Sequence, residues 1–328
     1  MPYCFVTFLT VNVYAFLWRM KMNNNEINLK DKVIEGYELA EDKEILGIFG
    51  NPIKHTLSPV IHDNLSDMLG LNERYIPFQI EERLGDYVKA AYESQILGLN
   101  ITVPYKEKVI PYLVDIDEDA EKIGAVNTLV RADGGYKGYN TDMEGLYRSV
   151  TEAGFEIKDN NIIMLGAGGA ARAVAYMCVK YGAKKVYIVN RTLEKAEKLA
   201  DDMNMIKKDN ANEKTFIPIA ASDYIRIPND RYLFIQSTSI GLNADDGLPL
   251  VCDENFYDMA DAAVDLIYNP EKTKFLEVMS KKKIPYINGL KMLLYQGIIA
   301  FEYWNNVKIS QDMSEKIYSE LKKYYSNK

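Results

Sequence analysis

The segment NIIMLGAGGAARAV, residues 161–174, decides how the rest of the chain is read. Asn161 to Leu165 form a short apolar run of strand character, and glycines at 166, 168 and 169 follow it directly, ahead of a run of helical character. Strand before and helix after is the context that a dinucleotide fingerprint requires. Glycine permits the tight turn and lets backbone N–H groups approach a pyrophosphate at the positive end of a helix. Gly166, Ala167, Gly168, Gly169 and Ala170 would line the phosphates, and Ala171 takes the sixth position of the pattern. A glycine pattern alone marks only a turn. Flanked in this way, and followed by a second strand over KKVYIVN (184–190), it predicts a Rossmann-like nucleotide-binding domain.

The end of that second strand selects the cofactor. An NAD site usually carries Asp or Glu there to accept from the ribose 2′-hydroxyl, whereas this chain has Asn190, Arg191 and Thr192, with Lys195 one turn on. Arg191 can hold a 2′-phosphate bidentately, and Thr192 can donate to it while capping the helix that begins there. NADP is therefore expected rather than NAD. Without the glycine loop upstream, Arg191 would read as a solvated surface arginine.

Outward from this core, the same alternation continues in both directions. Downstream come a helix near 169–181, a helix from Thr192, and strands YLFIQ (232–236) and AAVDLI (262–267); the polar segment 201–214 reads as a helix end and surface loop. Upstream, ILGIFG (45–50) precedes a helix from Ser58, RYIPFQI (74–80) a helix through Tyr92, and LNITV (99–103) a helix from Tyr105. TLVRADGGYKGYN (128–140) reads as a hairpin around Asp133-Gly134-Gly135, with a helix from Asp142 to Ala153, and the chain closes with helices over 290–304 and 310–325. The pattern predicts an α/β protein of two domains. Residues 45–142 and 288–328 form a parallel-sheet substrate-binding and catalytic domain, residues 143–287 the Rossmann-like NADP-binding domain, and an interdomain cleft holds the chemistry.

Composition narrows the function. The 328 residues are 48% hydrophobic and carry 39 Lys and Arg against 47 Asp and Glu, a net charge of −8, so no basic excess is available for a phosphate backbone and no nucleic-acid partner is expected. Cys4, Cys178 and Cys252 are odd in number, widely spaced and without a CxxC pair, which indicates neither disulfides nor structural zinc and suits a reducing cytoplasm. The two histidines, His55 and His62, flank Pro59 without a common ligand spacing, and no metal is expected.

The apolar run at residues 3–18 has no basic residue before it and no small-residue cleavage site after it, and Asn12 and threonines interrupt it. It reads as neither a signal peptide nor a span of the ~20 residues that a bilayer needs, so no membrane partner is expected. Residues 1–44 are read as an N-terminal extension: an upstream over-read with Met20 or Met22 as start, then the loose polar tail NNNEINLKDK. Monomer and homodimer both remain open.

The first domain adds loops with chemistry in them. GNPIKHTLSP (50–59) puts hydroxyls at a helix entrance, where they suit a carboxylate but would serve equally as caps. NITVPYKE (100–107) puts a hydroxyl and a lysine at the carboxyl end of a buried strand, where open α/β sheets bind ligands. With GAVNT (124–128), NTD (140–142), GAGGAA, NRT, STSIG and NGLKMLLYQG following in order, the chain from about residue 45 onward resembles the shikimate dehydrogenase family. That family reduces 3-dehydroshikimate to shikimate with NADPH in aromatic amino-acid biosynthesis.

The resemblance implies roles residue by residue. Thr56 and Ser58 would bind the substrate carboxylate; the first is usually serine, so Thr56 keeps the donor and adds a methyl group. Thr102, Asn127 and Gln296 would hydrogen-bond ring hydroxyls, Tyr268 would line the pocket, and Thr238, Ser239 and Gly289 would lie near the nicotinamide. Asn288 stands where an aspartate is usual, which questions any charge contribution there. Lys106 and Asp142 would be the catalytic pair, a cationic donor beside a carboxylate, as delivery of a proton to a developing alkoxide requires. Two alternatives remain: a quinate/shikimate dehydrogenase using NAD, and a non-catalytic NADP-binding regulator on the same fold.

Overall fold

The computed structural model describes residues 28–38, 42–208, 213–243 and 245–326. The chain divides into two units: Asp142–Gln296 form the second, and the residues before Asp142 together with those from Gly297 onward form the first.

In the first unit the apolar run EILGIFG makes β1 (Glu44–Gly50), buried along all but its first residue, as a central parallel strand covered on both faces must be. Pro59 opens α1 (Ser58–Leu69) and Gly70, at φ 66°, closes it in the left-handed region that glycine tolerates. β2 (Glu73–Gln79), α2 (Leu84–Glu93) and β3 (Gly98–Ile101) complete two βαβ units, with β2 and β3 both parallel to β1. Then follow β4 (Asp115–Ile116), α3 (Glu118–Ile123), β5 (Thr128–Ala132) and β6 (Gly135–Tyr139). The sheet order is β2-β1-β3-β5-β6-β4, and β5 runs antiparallel to both β3 and β6. The sheet is thus mixed rather than wholly parallel, because the hairpin turning at Asp133-Gly134 inserts an inverted strand.

Two sequence expectations fail here. No helix starts at Tyr105: the Lys106 carbonyl accepts the Val126 N–H at 2.8 Å and Pro111 offers no N–H, so a single turn and a short 3₁₀ segment at Ile110–Tyr112 replace it. The polar stretch is not a loose tail from Asn28 on. Asn28 caps a 3₁₀ turn at Leu29–Lys32, Leu29 joins the core beside Phe49, Phe78 and Tyr87, and the Ile34 N–H donates to Pro77 at 3.2 Å. Leu29 within that polar run and Ile34 just after it are the apolar anchors. Residues 1–27, with Met20, Met22 and the apolar run at 3–18, lie outside the described residues.

α4 (Thr141–Glu152) leads into the second unit. There, β7 (Asn161–Leu165), α5 (Gly169–Lys180), β8 (Lys185–Asn190), α6 (Leu193–Lys207), β9 (Phe216–Ala220), β10 (Tyr232–Gln236), β11 (Ala260–Asp265), α7 (Lys274–Lys281) and β12 (Tyr286–Ile287) follow. All six strands are parallel in the order β12-β11-β10-β7-β8-β9, so the winding reverses between β7 and β10. β9 is a strand the sequence reading lacks; it lies at the sheet edge, where its Pro218 is tolerated. α8 (Leu290–Asn305) carries the chain back to the first unit, where the Trp304 indole N–H donates to Leu129 at 2.9 Å and α9 (Gln311–Ser326) ends the fold.

Candidate active site

In the first unit, residues from four separate segments meet at one end of the sheet. Thr56 Oγ1 accepts the Ser58 N–H at 3.2 Å and donates to Ser58 Oγ at 3.1 Å, which sets both hydroxyls side by side at the start of α1. The loops after β1 and β3 are zipped together, Thr102 N–H to Phe49 at 3.0 Å and Asn51 N–H to Val103 at 3.0 Å, and the Thr102 methyl occupies the space a side chain at Gly50 would need. Because β5 is antiparallel, the residue before it, Asn127, arrives at this same end. Its Oδ1 accepts the Thr141 N–H at 2.8 Å, and its Nδ2 donates to Thr141 Oγ1 at 2.9 Å. Lys106 is held in the same loop cluster through its carbonyl bond to Val126, with its side chain half-buried.

Asp142, Tyr268 and Gln296 belong to the second unit. Asp142 is in the first turn of α4, one peptide beyond the clamped Thr141. Gly145 lies so close to α8 that a Cβ there would fall 2.7 Å from the Gln296 nitrogen, so the helices carrying Asp142 and Gln296 touch along their backbones. Gln296 Nε2 donates to Leu293 at 2.9 Å within its own helix. Tyr268 is half-buried, and burial pushes its hydroxyl above the usual tyrosine range.

The glycine turn suits a dinucleotide. Gly166, at φ 110°, packs so closely that a Cβ would sit 2.8 Å from Thr238 Cγ2 and 2.9 Å from Ser237 Oγ. Gly168 and Gly169 face open space on the exposed N-terminal end of α5, where Gly168 is the N-cap and no side chain bonds to the helix. That leaves room and N–H donors for a pyrophosphate, and a side chain at either position would fill the cradle. Arg191, Thr192 and Lys195 are exposed at the end of β8 and the start of α6, and Asn190 Nδ2 braces the turn by donating to the Thr192 carbonyl at 2.8 Å. Thr192 holds the N-cap position without a side-chain cap bond, contrary to the expectation that its hydroxyl would cap α6.

Thr238 and Ser239 follow β10, and Gly289 packs its Cα against the Leu266 carbonyl while its N–H donates to Ile267 at 3.1 Å. Asn288 Oδ1 accepts the Leu290 N–H at 3.1 Å and its Nδ2 donates to Glu271 at 3.0 Å. The amide therefore performs the helix-capping task an aspartate could perform, and the departure removes a charge while keeping the cap.

Four buried polar residues went unnoticed in the sequence. The Tyr75 hydroxyl donates to Asn100 Oδ1 at 2.7 Å, and Asn100 Nδ2 donates to the Asn127 carbonyl and to Thr128 Oγ1, at 3.2 and 3.1 Å. Gln236 and Asp265 end β10 and β11, and burial pushes the Asp265 carboxyl up to about 6. The signal was present: an amide in LNITV and a carboxylate in AAVDLI sit among mostly apolar strand residues. Among the described residues no group of His, Cys, Asp and Glu could hold a metal ion, and no helix is long and apolar enough to cross a membrane.

Comparison with known proteins adds to this geometry. Residues 48–129 match the family described as shikimate dehydrogenase substrate binding domain, and residues 149–221 the family described as shikimate / quinate 5-dehydrogenase. The chain is 39% identical over 268 residues to an NADP(+) shikimate dehydrogenase of Carboxydothermus hydrogenoformans, covering 81% of this chain and 93% of the relative. Its fold is similar to that of a shikimate dehydrogenase crystallised with NADP+, at a TM-score of 0.77 and 34% identity, over 88% of this chain and 99% of the other. It is also similar to that of the Thermus thermophilus shikimate 5-dehydrogenase in complex with NADP(H) and shikimate, at a TM-score of 0.73 and 28% identity, over 84% and 99% of the two chains.

Proposed function

The chain belongs to the shikimate dehydrogenase family, and from that premise we propose that it interconverts 3-dehydroshikimate and shikimate with NADPH and NADP+. The observation that carries this reading is the meeting of Thr56, Ser58, Thr102, Lys106 and Asn127 at one end of the first unit's sheet, from segments far apart in sequence. The second unit supplies the open glycine cradle and Arg191 for the cofactor.

In this reading, Thr56 and Ser58 donate to the substrate carboxylate, and Thr102, Asn127 and Gln296 hydrogen-bond the ring hydroxyls. Tyr268 lines the substrate pocket. The cofactor, when bound, supplies or takes the hydride. Lys106 gives its Nζ proton to the carbonyl oxygen as negative charge develops there, and recovers a proton in the reverse direction; Asp142 orients the ammonium. Asn127 is oriented for its task by Thr141, which takes up one N–H and the carbonyl oxygen of its side-chain amide. Arg191 and Lys195 hold the 2′-phosphate, while Thr238, Ser239 and Gly289 border the nicotinamide. The first unit is the substrate-binding domain and the second the NADP-binding domain. The cysteine pattern and the acidic net charge of −8 support a cytoplasmic enzyme acting on small molecules.

A two-by-two assay tests the reading, with shikimate or quinate as the alcohol and NADP+ or NAD+ as the acceptor, followed by the absorbance of the reduced nicotinamide. Turnover confined to shikimate with NADP+ is expected. Quinate turnover with NAD+ would move the assignment to the quinate/shikimate branch, and silence of folded protein in all four arms would leave a cofactor-binding regulator.

A further inference from the structure

The register of the second sheet pairs Gln236 with Asp265, the last residues of neighbouring strands β10 and β11. Both are 0% exposed, in strands whose other buried residues carry no charge or amide. A buried amide and a buried carboxylate persist in such a place only where their hydrogen bonds are made. Here every one of those bonds goes to the segments leaving the strand ends.

Gln236 Oε1 accepts the Thr238 N–H at 2.5 Å, and Nε2 donates to the Ile240 carbonyl at 2.9 Å and the Thr238 carbonyl at 3.4 Å. This loop presents an N–H and two carbonyls, and an amide answers both needs, which neither a carboxylate nor an apolar side chain can. Asp265 faces the opposite demand. Its two oxygens accept from the Ile267 N–H at 2.9 Å and from Thr273 Oγ1 at 2.6 Å, a pattern an amide could keep only by turning the Thr273 hydroxyl from donor to acceptor. Thr273 also caps α7 through the Leu276 N–H at 3.3 Å, and its methyl lies against Gly241, whose φ of 112° ends the Gln236-held loop. The Leu266 N–H donates to the Gln236 carbonyl at 3.0 Å, which joins the two loops through their backbones as well.

These loops carry Thr238, Ser239 and Tyr268, and Gly289 rests on Leu266 and Ile267. They leave the carboxyl ends of strands beside the point where the sheet order reverses, the place where open parallel sheets receive ligands. Gly166, on β7's side of that point, packs on Ser237 and Thr238.

We propose that Gln236 and Asp265 are a matched pair of positioning residues that hold loops 237–241 and 266–273 in the shape the nicotinamide half of the dinucleotide requires, while the adenosine half depends on the glycine turn and Arg191. The proposal rests on the NADP reading above and goes beyond it in dividing the cofactor site between two sets of supporting residues.

The test compares NADP+ with 2′,5′-ADP, the adenosine half alone, by calorimetric titration of the full chain. Gln236→Glu and Asp265→Asn each exchange donor for acceptor, or the reverse, at constant shape. Each is expected to weaken NADP+ by about tenfold and to lower kcat, with 2′,5′-ADP affinity unchanged. Should either variant fail to fold, Thr273→Val removes one of the two donors to Asp265 at constant volume, and the same selective loss is expected, with Thr273→Ser restoring NADP+ binding. Unchanged NADP+ affinity in the variants overturns the proposal, as does a parallel loss for both ligands, which is what general destabilisation produces. A wild type that binds shikimate and 2′,5′-ADP but gains no affinity from the nicotinamide half also overturns it. A wild type that binds neither nucleotide overturns the NADP reading itself.

Discussion

At the scale of single residues, His62 shows how strongly a fold can alter a side chain. Its ring is 0% exposed and stacks on Tyr75 at 4.3 Å between centroids. Burial holds its pKa down at about 3, against 6.5 for an ordinary histidine. The folded state therefore binds this proton less well than the unfolded chain, so the neutral form's stability is intact above pH 6.5 and drains away as pH falls toward 3. By pH 5 the first unit should lose about 2 kcal/mol through this group alone. Urea unfolding followed by Trp304 fluorescence in a Trp18→Phe background checks it: His62→Phe should flatten the loss between pH 7 and pH 5, and an equal slope in both proteins removes His62 as its source. Lys106 poses the complementary question, since the proposed mechanism places its contribution in the transition state. Lys106→Ala should reduce kcat by ~10²–10⁴-fold with the KM for shikimate nearly unchanged; an unchanged kcat removes it from the chemistry. Lys106 and Asn127 could be nominated from sequence because they sit in polar motifs at the ends of apolar strand runs. Gln236 and Asp265 were not, because a polar residue closing an apolar run reads as the end of a strand until its partners are seen.

At the scale of elements, apolar runs of strand length and glycine punctuation made most of the architecture readable. β7, α5 and the glycine turn between them follow directly from NIIMLGAGGAARAV. The failures have local physical causes: FIPIA hid as a strand because Pro218 belongs only on an edge, and the expected helix at Tyr105 gave way to the loop contact made by the Lys106 carbonyl. The turn itself separates two uses of glycine. Gly166→Ala must place a Cβ at φ 110° and 2.8 Å from Thr238, so it should lower the melting temperature. Gly168→Ala meets nothing within 4 Å at φ −93°, so the fold should be unchanged while the methyl group intrudes on the phosphate cradle. NADP+ affinity in Gly168→Ala should fall about tenfold or more at constant melting temperature. Unimpaired binding would mean that the phosphates do not approach this turn.

At the scale of the whole molecule, the first unit is discontinuous: the chain leaves it at Asp142 and returns at Gly297. Both crossings fall inside helices, α4 and α8, which is why no Pro, Gly or Ser-rich linker marks them in the sequence. The end residues of the second unit are Asp142, nominated to orient Lys106, and Gln296, nominated for the substrate, and the Gly145 contact draws their helices together. Each unit has its own sheet and its own aromatic core, so a ligand held wholly by one unit should stabilise that unit's local openings first. 2′,5′-ADP meets this condition if the adenosine half rests on Gly166–Ala170 and Arg191. At 100 times its Kd it should slow amide exchange by up to about 100-fold, equivalent to about 2.7 kcal/mol, in peptides covering β7, the start of α5 and the end of β8. Peptides from β1, β3 and β5 should exchange as in free protein. Protection spread evenly over both sheets would show that the nucleotide acts on the molecule as one cooperative body, and protection absent from the glycine turn would take the adenosine half elsewhere.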